Sequence, residues 1–323
     1  MDRSRLIVTL AMILSMISVI LGFTGIAMSS RSAPFARASS DSFFTSGRSG
    51  IAVIKIHGDI RSGYSTGSSV GADDLIQEIK TARDSSSIRA VIIDINSPGG
   101  TVGATKIIYE AVKDLRKEKP VAAVITDIGA SGGYYVASAC DKIFAQQGSI
   151  VGSIGVIAFH GDISGLLNDY GIKISSMKAG KYKDSSYPFR AMSAEEKDMM
   201  QEIMNDSYEQ FLTDVSEGRG QPIKSVRAWG EGRIFSGKTA KAEQMIDEIG
   251  GKIEAVQALK VLLKTNDDLP LFEKKEDFME RFMKSLPGLE QNRMASSLTN
   301  SHIYYLYPSS IQIIFESMQR IRP

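Results

Sequence analysis

The chain of 323 residues is short of the side chains that build stapled or metal-dependent proteins: one cysteine, Cys140, one tryptophan, Trp229, and three histidines, His57, His160 and His302. A single thiol forms no intramolecular disulfide and no Cys-rich zinc site, so folding must rest on an ordinary apolar core. Three histidines leave few His-based metal or catalytic arrangements. An excess of either charge is also missing, with 38 Lys+Arg against 37 Asp+Glu and a net charge of +1. That balance argues against a nucleic-acid partner, which needs a clearly basic face. No metal or nucleotide motif rises above chance, and no cofactor is expected. What the chain has is 43% hydrophobic residues, enough to fill one large domain or two ordinary ones.

The longest apolar run is Leu6–Met28 (LIVTLAMILSMISVILGFTGIAM), without a charge and long enough to cross a bilayer. Arg3 and Arg5 precede it after a very short stub (residues 1–5), which favours a cytoplasmic amino terminus and an extracytoplasmic body. Ala36-Arg37-Ala38 is a poor small-x-small site, so the run reads as a retained membrane anchor rather than a cleaved signal. Ser-rich residues 29–50 read as a tether, 51–264 as the folded body and 265–323 as a tail of different character.

Within the body, strands are expected at Ile51–Ile56, Ala90–Ile95, Val121–Thr126, around Ile143, at Val151–Ile157 and at Ile172–Ser176. Helices are expected at Asp73–Arg83, Thr101–Lys117, Gly132–Cys140, near Ile163–Tyr170, over Ser193–Glu217 behind a Ser193-x-x-Glu196 capping box, and at Ile253–Leu263. Residues 232–251 read strand, turn, helix, strand. The alternation predicts a layered α/β fold built mainly from parallel crossovers. In the tail, Leu271–Leu286 carries an apolar stripe at helical spacing, expected to pack on the core. Ile303–Tyr307 is an aromatic run that fits an edge strand, a subunit contact or a segment near a substrate groove.

Chemistry concentrates at two glycine turns. Gly129-Ala130-Ser131-Gly132-Gly133 sets a serine between a strand and an apolar helix, where N–H groups of the first turn point at its hydroxyl. Alone, such a turn is more often a helix cap. Asn96-Ser97-Pro98-Gly99-Gly100 repeats the junction after another buried strand, and parallel strands open both turns at one sheet edge. Gly99 or Gly100 could then sit opposite Gly132 as paired oxyanion donors.

A serine nucleophile needs a base, and only His160 and His302 lie downstream, neither within a recognisable motif. A Ser/His/Asp hydrolase is the nearest enzymatic rival, and a non-catalytic membrane scaffold is the alternative from another class. Lysine is the remaining common base, provided its pKa falls from about 10.4 toward 7–8. Spacing leaves Lys178, Lys181 and Lys183 open, with Ser153 a plausible orienting partner. Ser175-x-x-Lys178 matches a penicillin-binding motif by chance, lacking its companion motifs.

NSPGG at 96–100, GASGGYYVA at 129–137, GSIVGSIGVI at 148–157, GKYKD at 180–184 and GRIFSGKTAKAEQMIDEIGG at 232–251 together resemble the signal peptide peptidase A family. These are proteases with a Ser/Lys dyad, related in fold to Clp protease and the crotonases. The resemblance implies a crotonase-like layered fold of repeated β-β-α units behind one transmembrane helix, with Ser131 as nucleophile, Lys183 as general base and Ser153 orienting Lys183. It puts Gly99, Gly100 and Gly132 at the oxyanion hole. It also implies a homo-oligomer in which Ser and Lys of one site can come from neighbouring subunits, and degradation of signal peptides released by signal peptidase. No role is assigned to Trp229, and Cys140 is expected to be a small packed hydrophobe.

Overall fold

A computed structural model describes residues 49–66 and 69–274 and the backbone of 304–306. The chain divides into units Met1–Ser42 and Phe43–Pro323, and every described residue lies in the second. The anchor expected at 6–28 lies outside the described residues; among those described, no helix is long and apolar enough to cross a membrane.

Three long strands and a short one form the centre: β1 (Gly50–His57), β4 (Ile88–Ser97) and β6 (Val121–Ala130), with β7 (Lys142–Ala145). They pair in parallel, β7-β6-β4-β1, with β10 (Glu248–Ile249) added beyond β7 and β11 (Leu271–Glu273) beyond β1. Parallel sheets are covered on both faces, which is why these strands read as unbroken apolar runs instead of alternating. One face of the sheet packs Ile54, Ile93 and Ile125 with Leu75 and Ile79 of α1 (Ala72–Asp84) and Ile108 and Val112 of α2 (Val102–Arg116). The other face sets Ile51, Val53 and Ile92 against Ala255 and Leu259 of α8 (Lys252–Leu263).

The first two units continue beyond their long strand into short ones. β1 leads to β2 (Asp59–Arg61), β3 (Ser69–Gly71) and α1, while β4 leads to β5 (Gly99–Thr101) and α2. The short strands make a second sheet, β12-β5-β2-β3, in which β12 (Tyr304–Leu306) runs antiparallel to β5. β6 is followed by α3 (Gly132–Ser138), then β7 and β8 (Ile150–Gly152). This is a mixed α/β fold with a parallel-rich sheet.

Three expectations are corrected. No strand forms at Ile172–Ser176: the chain beyond α4 (Ser164–Asp169) is irregular and exposed, and the apolar residues read as a strand have no core to enter. The strand expected at Val151–Ile157 ends at Gly152, because positive φ at Gly152 (102°) and Ser153 (53°) turns the backbone out of the sheet. Residues 271–273 form β11 rather than the start of a helix, and the rest of the 271–286 stripe lies outside the described residues. The Ser193–Glu196 capping box is present at the head of α5 (Ala194–Arg219). Downstream, α6 (Ile223–Trp229), β9 (Ile234–Ser236) and α7 (Gly237–Ala242) close the body.

Candidate active site

β6 delivers Ser131 to its end and α3 begins at the next residue. Ser131 holds φ 52° and ψ −117°, a region that a residue with a Cβ occupies only under surrounding constraint. The constraint is visible. The Ser131 N–H donates to the Gly152 carbonyl at 2.7 Å, and the Tyr135 N–H donates to the Ser131 carbonyl at 2.9 Å. Tyr134 Oη donates to the Met245 carbonyl at 2.9 Å, Tyr135 Oη donates to the buried Asp214 carboxylate, and Tyr109 Oη donates to the Asp214 carbonyl at 3.0 Å. Tyr135 also stacks on Phe211, ring centroids 4.3 Å apart. α3 is thus tied to α2 and α5 by side chains that were not picked out from the sequence. Asp214 had no local signal, being one of many charges on a long helix.

The Ser131 hydroxyl is fully buried and has no hydrogen-bond partner among the described residues. The hydroxyl of buried Thr105, on α2, is also unpartnered among the described residues, and a Cβ added to Gly132 would lie 2.8 Å from it. The same Cβ would lie 3.1 Å from the Gly100 nitrogen and 3.2 Å from Gly99 Cα, so the two glycine turns are in contact as expected from their shared sheet edge. A Cβ on Gly100 would meet the Ile60 carbonyl oxygen at 1.9 Å, which only glycine avoids. The Gly99 N–H donates to Ser97 Oγ at 3.1 Å. Gly100 and Gly132, whose backbones are in contact, are the candidate oxyanion donors carried forward, with Gly99 beside them.

Ser153 follows the residue whose carbonyl accepts from Ser131. It is buried, has φ 53°, and its N–H donates to the Arg233 carbonyl at 2.6 Å. Lys183 is not joined to either serine: it is exposed, and the Ser131 hydroxyl has no partner among the described residues. Of the three lysines left open by spacing, Lys178 pairs with Asp184 and Lys181 with Glu195, while no ion pair involves Lys183 among the described residues. His160 is exposed, and His57 lies 3.5 Å from Asp94, so neither touches the Ser131 hydroxyl. His302 lies outside the described residues. Cys140 is buried, and burial pushes its thiol pKa up, which suits a packed hydrophobe. Trp229 is a core residue.

A strained, buried serine at a strand-to-helix turn, facing a second glycine turn in a parallel sheet, defines a serine hydrolase of the layered α/β type. Comparison with known proteins narrows the class. The peptidase family S49 matches residues 113–266. A protease candidate of Synechocystis sp. is 35% identical over 215 residues, 67% of this chain and 75% of that protein. A candidate signal peptide peptidase SppA of Enterococcus faecium is 32% identical, covering 60% of this chain and 57% of that one. The chloroplastic serine protease SPPA of Arabidopsis thaliana is 32% identical over 71% of this chain and 34% of its own length. The chain therefore spans from about a third to three quarters of these relatives' lengths. It belongs to peptidase family S49, as an SppA-type serine protease.

Proposed function

We propose that this protease works through a Ser131/Lys183 dyad and degrades apolar peptides, remnant signal peptides among them, from a body tethered to the membrane by residues 6–28. The observation that carries the reading is the buried, unpartnered Ser131 hydroxyl at a strained turn beside Gly100 and Gly132. Such a hydroxyl lacks only a base. The base would come from a second copy of the chain. Lys183 sits on a segment, Val156–Met192, in which several large apolar side chains stand in solvent in the single chain, with Leu166 58% and Tyr170 76% exposed. Exposed apolar surface on that scale suits burial against a partner subunit.

Lys183 Nζ takes the Ser131 Oγ proton as Oγ bonds to the scissile carbonyl carbon, and the Gly100 and Gly132 N–H groups stabilise the oxyanion. Collapse breaks the C–N bond while Nζ returns the proton to the leaving amine. Water, losing a proton to Nζ, then attacks the ester, and Oγ regains that proton as it departs. Ser153 would hold Nζ toward Ser131. The antiparallel pairing of β12 with β5 supports an extended substrate lying along the same edge, next to Gly100.

The test uses full-length chains in detergent and an apolar signal-peptide substrate. Ser131→Ala and Lys183→Ala are each expected to lower turnover by about 10⁴-fold. Co-assembling the two variants is expected to restore about a quarter of parental activity by random pairing of subunits. Full turnover in Lys183→Ala would sink the dyad, and no recovery on mixing would return Ser and Lys to one chain.

A further inference from the structure

Between Gly171 and Met192 the only buried residue is a carboxylate, Asp184, next to Lys183. No apolar core holds this stretch; a charged cluster does. Arg190 donates to Asp184 through Nη2 at 2.6 Å and Nε at 3.3 Å. The same guanidinium donates to both oxygens of buried Glu196, in the first turn of α5, at 2.7 and 2.6 Å. Ser176 Oγ donates to Asp184 at 2.7 Å, Lys178 Nζ pairs with Asp184, and the Ser193 N–H donates to Glu196 at 2.8 Å. On the other flank of Lys183, Lys181 pairs with Glu195 and Tyr182 Oη donates to it at 3.0 Å. Residues 181, 182 and 184 are therefore all tied to the head of α5, and Lys183 alone among them carries no such tie.

We propose that Arg190 is a positioning residue for Lys183: by bridging Asp184 to Glu196 it fixes the lysine-bearing turn on α5 and keeps the Asp184 carboxylate away from Lys183. This rests on the reading of Lys183 as the base. A planar guanidinium can satisfy two carboxylates at once in fixed geometry, which an ammonium cannot. A carboxylate released beside Lys183 would favour its charged form and hinder proton uptake. The charged groups facing the cluster are Lys178 from the preceding loop, Arg190, and Glu195 and Glu196 from α5, with Lys181 beside them.

The experiment compares full-length parent, Arg190→Ala, Arg190→Lys, Asp184→Asn, Arg190→Ala/Asp184→Asn and Lys183→Ala, reading kcat and KM against pH and the oligomer size by light scattering. Arg190→Ala is expected to lower kcat about 10- to 100-fold with KM within about twofold and the oligomer intact. Its rising acid limb should move to higher pH by about one unit. Arg190→Lys should fall between the parent and Arg190→Ala. Asp184→Asn in the Arg190→Ala background should bring the acid limb back, since the freed charge is gone, while kcat stays low. Parental kcat and pH profile in Arg190→Ala, or an acid limb that the second substitution does not move, overturns the proposal. So does an activity loss that merely tracks dissociation. Inactive Lys183→Ala beside parental Arg190 variants defeats this inference alone, whereas active Lys183→Ala defeats the dyad reading on which it stands.

Discussion

The central sheet and the Val156–Met192 segment are built on opposite terms. In the sheet, Ile51, Ile92, Ile93 and Ile125 are at most marginally exposed, and the one Asp among the buried strand positions, Asp94, is met by Lys252 at 3.0 Å. In the segment, Phe159, Leu166, Ile172 and Ile174 stand in solvent while Asp184 is inside. One region satisfies the usual rule that apolar residues are buried and the other inverts it. On the Ser131/Lys183 reading proposed above, the inversion separates the two halves of the chemistry. Folding of one chain completes the nucleophile turn, because Ser131, Gly132 and Gly100 all lie on elements packed by apolar strands. The lysine side is a preformed turn held by ion pairs, with an apolar surface left for something else to cover.

The sharpest way to break this contrast is at the serine turn. Gly100→Ala would drive a Cβ into the Ile60 carbonyl, forcing β5 away from β2 and displacing one oxyanion donor. Activity is expected to fall about 10²- to 10³-fold in a steady-state peptide assay, with little change in oligomer size. An active Gly100→Ala enzyme would mean that this turn does not serve the oxyanion. Next comes stability. Ile93→Ala, at a fully buried strand position, should cost about 2–5 kcal/mol in chemical denaturation. Leu166→Ser and Ile172→Ser, both exposed, should change the single-chain stability by no more than about 0.5 kcal/mol. The same pair should nevertheless shift the assembly toward single chains in light scattering and remove turnover with it. Assembly indifferent to both substitutions would leave the exposed apolar surface without a partner subunit. A smaller effect concerns β5. Removing residues 300–323 takes away the strand paired with Gly99–Thr101 and should lower KM for a peptide by about threefold.

Much of the body was legible because its signals are local. Apolar runs such as AVIIDI announce covered parallel strands, Ser193-x-x-Glu196 announces a helix start, and two Gly-rich turns after buried strands announce a shared edge. What was not legible depends on long-range contact. Nothing near Asp214 signals that it receives Tyr135 and Lys106 from two other helices. Nor does the glycine turn signal that the Gly99 N–H donates to the Ser97 side chain. Ile172–Ser176 has the composition of a strand, but a strand needs a neighbour, and none is near. Spacing left Lys178, Lys181 and Lys183 open, and only the resemblance pointed to Lys183; that Lys178 and Lys181 are paired with Asp184 and Glu195 is long-range information that spacing does not encode. The capping box was read as a helix start alone, although Glu196 also grips Arg190.

The smallest expected effect tests whether the lysine turn really stands on charge. Arg190, together with the Ser193 N–H, holds the Glu196 carboxyl at about 2, below the usual value of about 4.3, and Arg190 and Lys178 likewise depress Asp184. Groups with a lowered folded pKa stabilise the fold above their unfolded pKa and lose that contribution as pH falls through the folded value. The clamp should therefore be intact above about pH 4.5 and released progressively toward pH 2. Hydrogen exchange, corrected for intrinsic rates, should show amides of residues 181–192 losing protection across that range before those of β4 and β6, whose burial is almost wholly apolar. Salt should act in the same direction, since the guanidinium is only half-buried and its ion pairs are partly screened. Equal loss of protection in the turn and in the sheet would mean that the two regions fail together, and the division between an apolar serine side and an ionic lysine side would not hold.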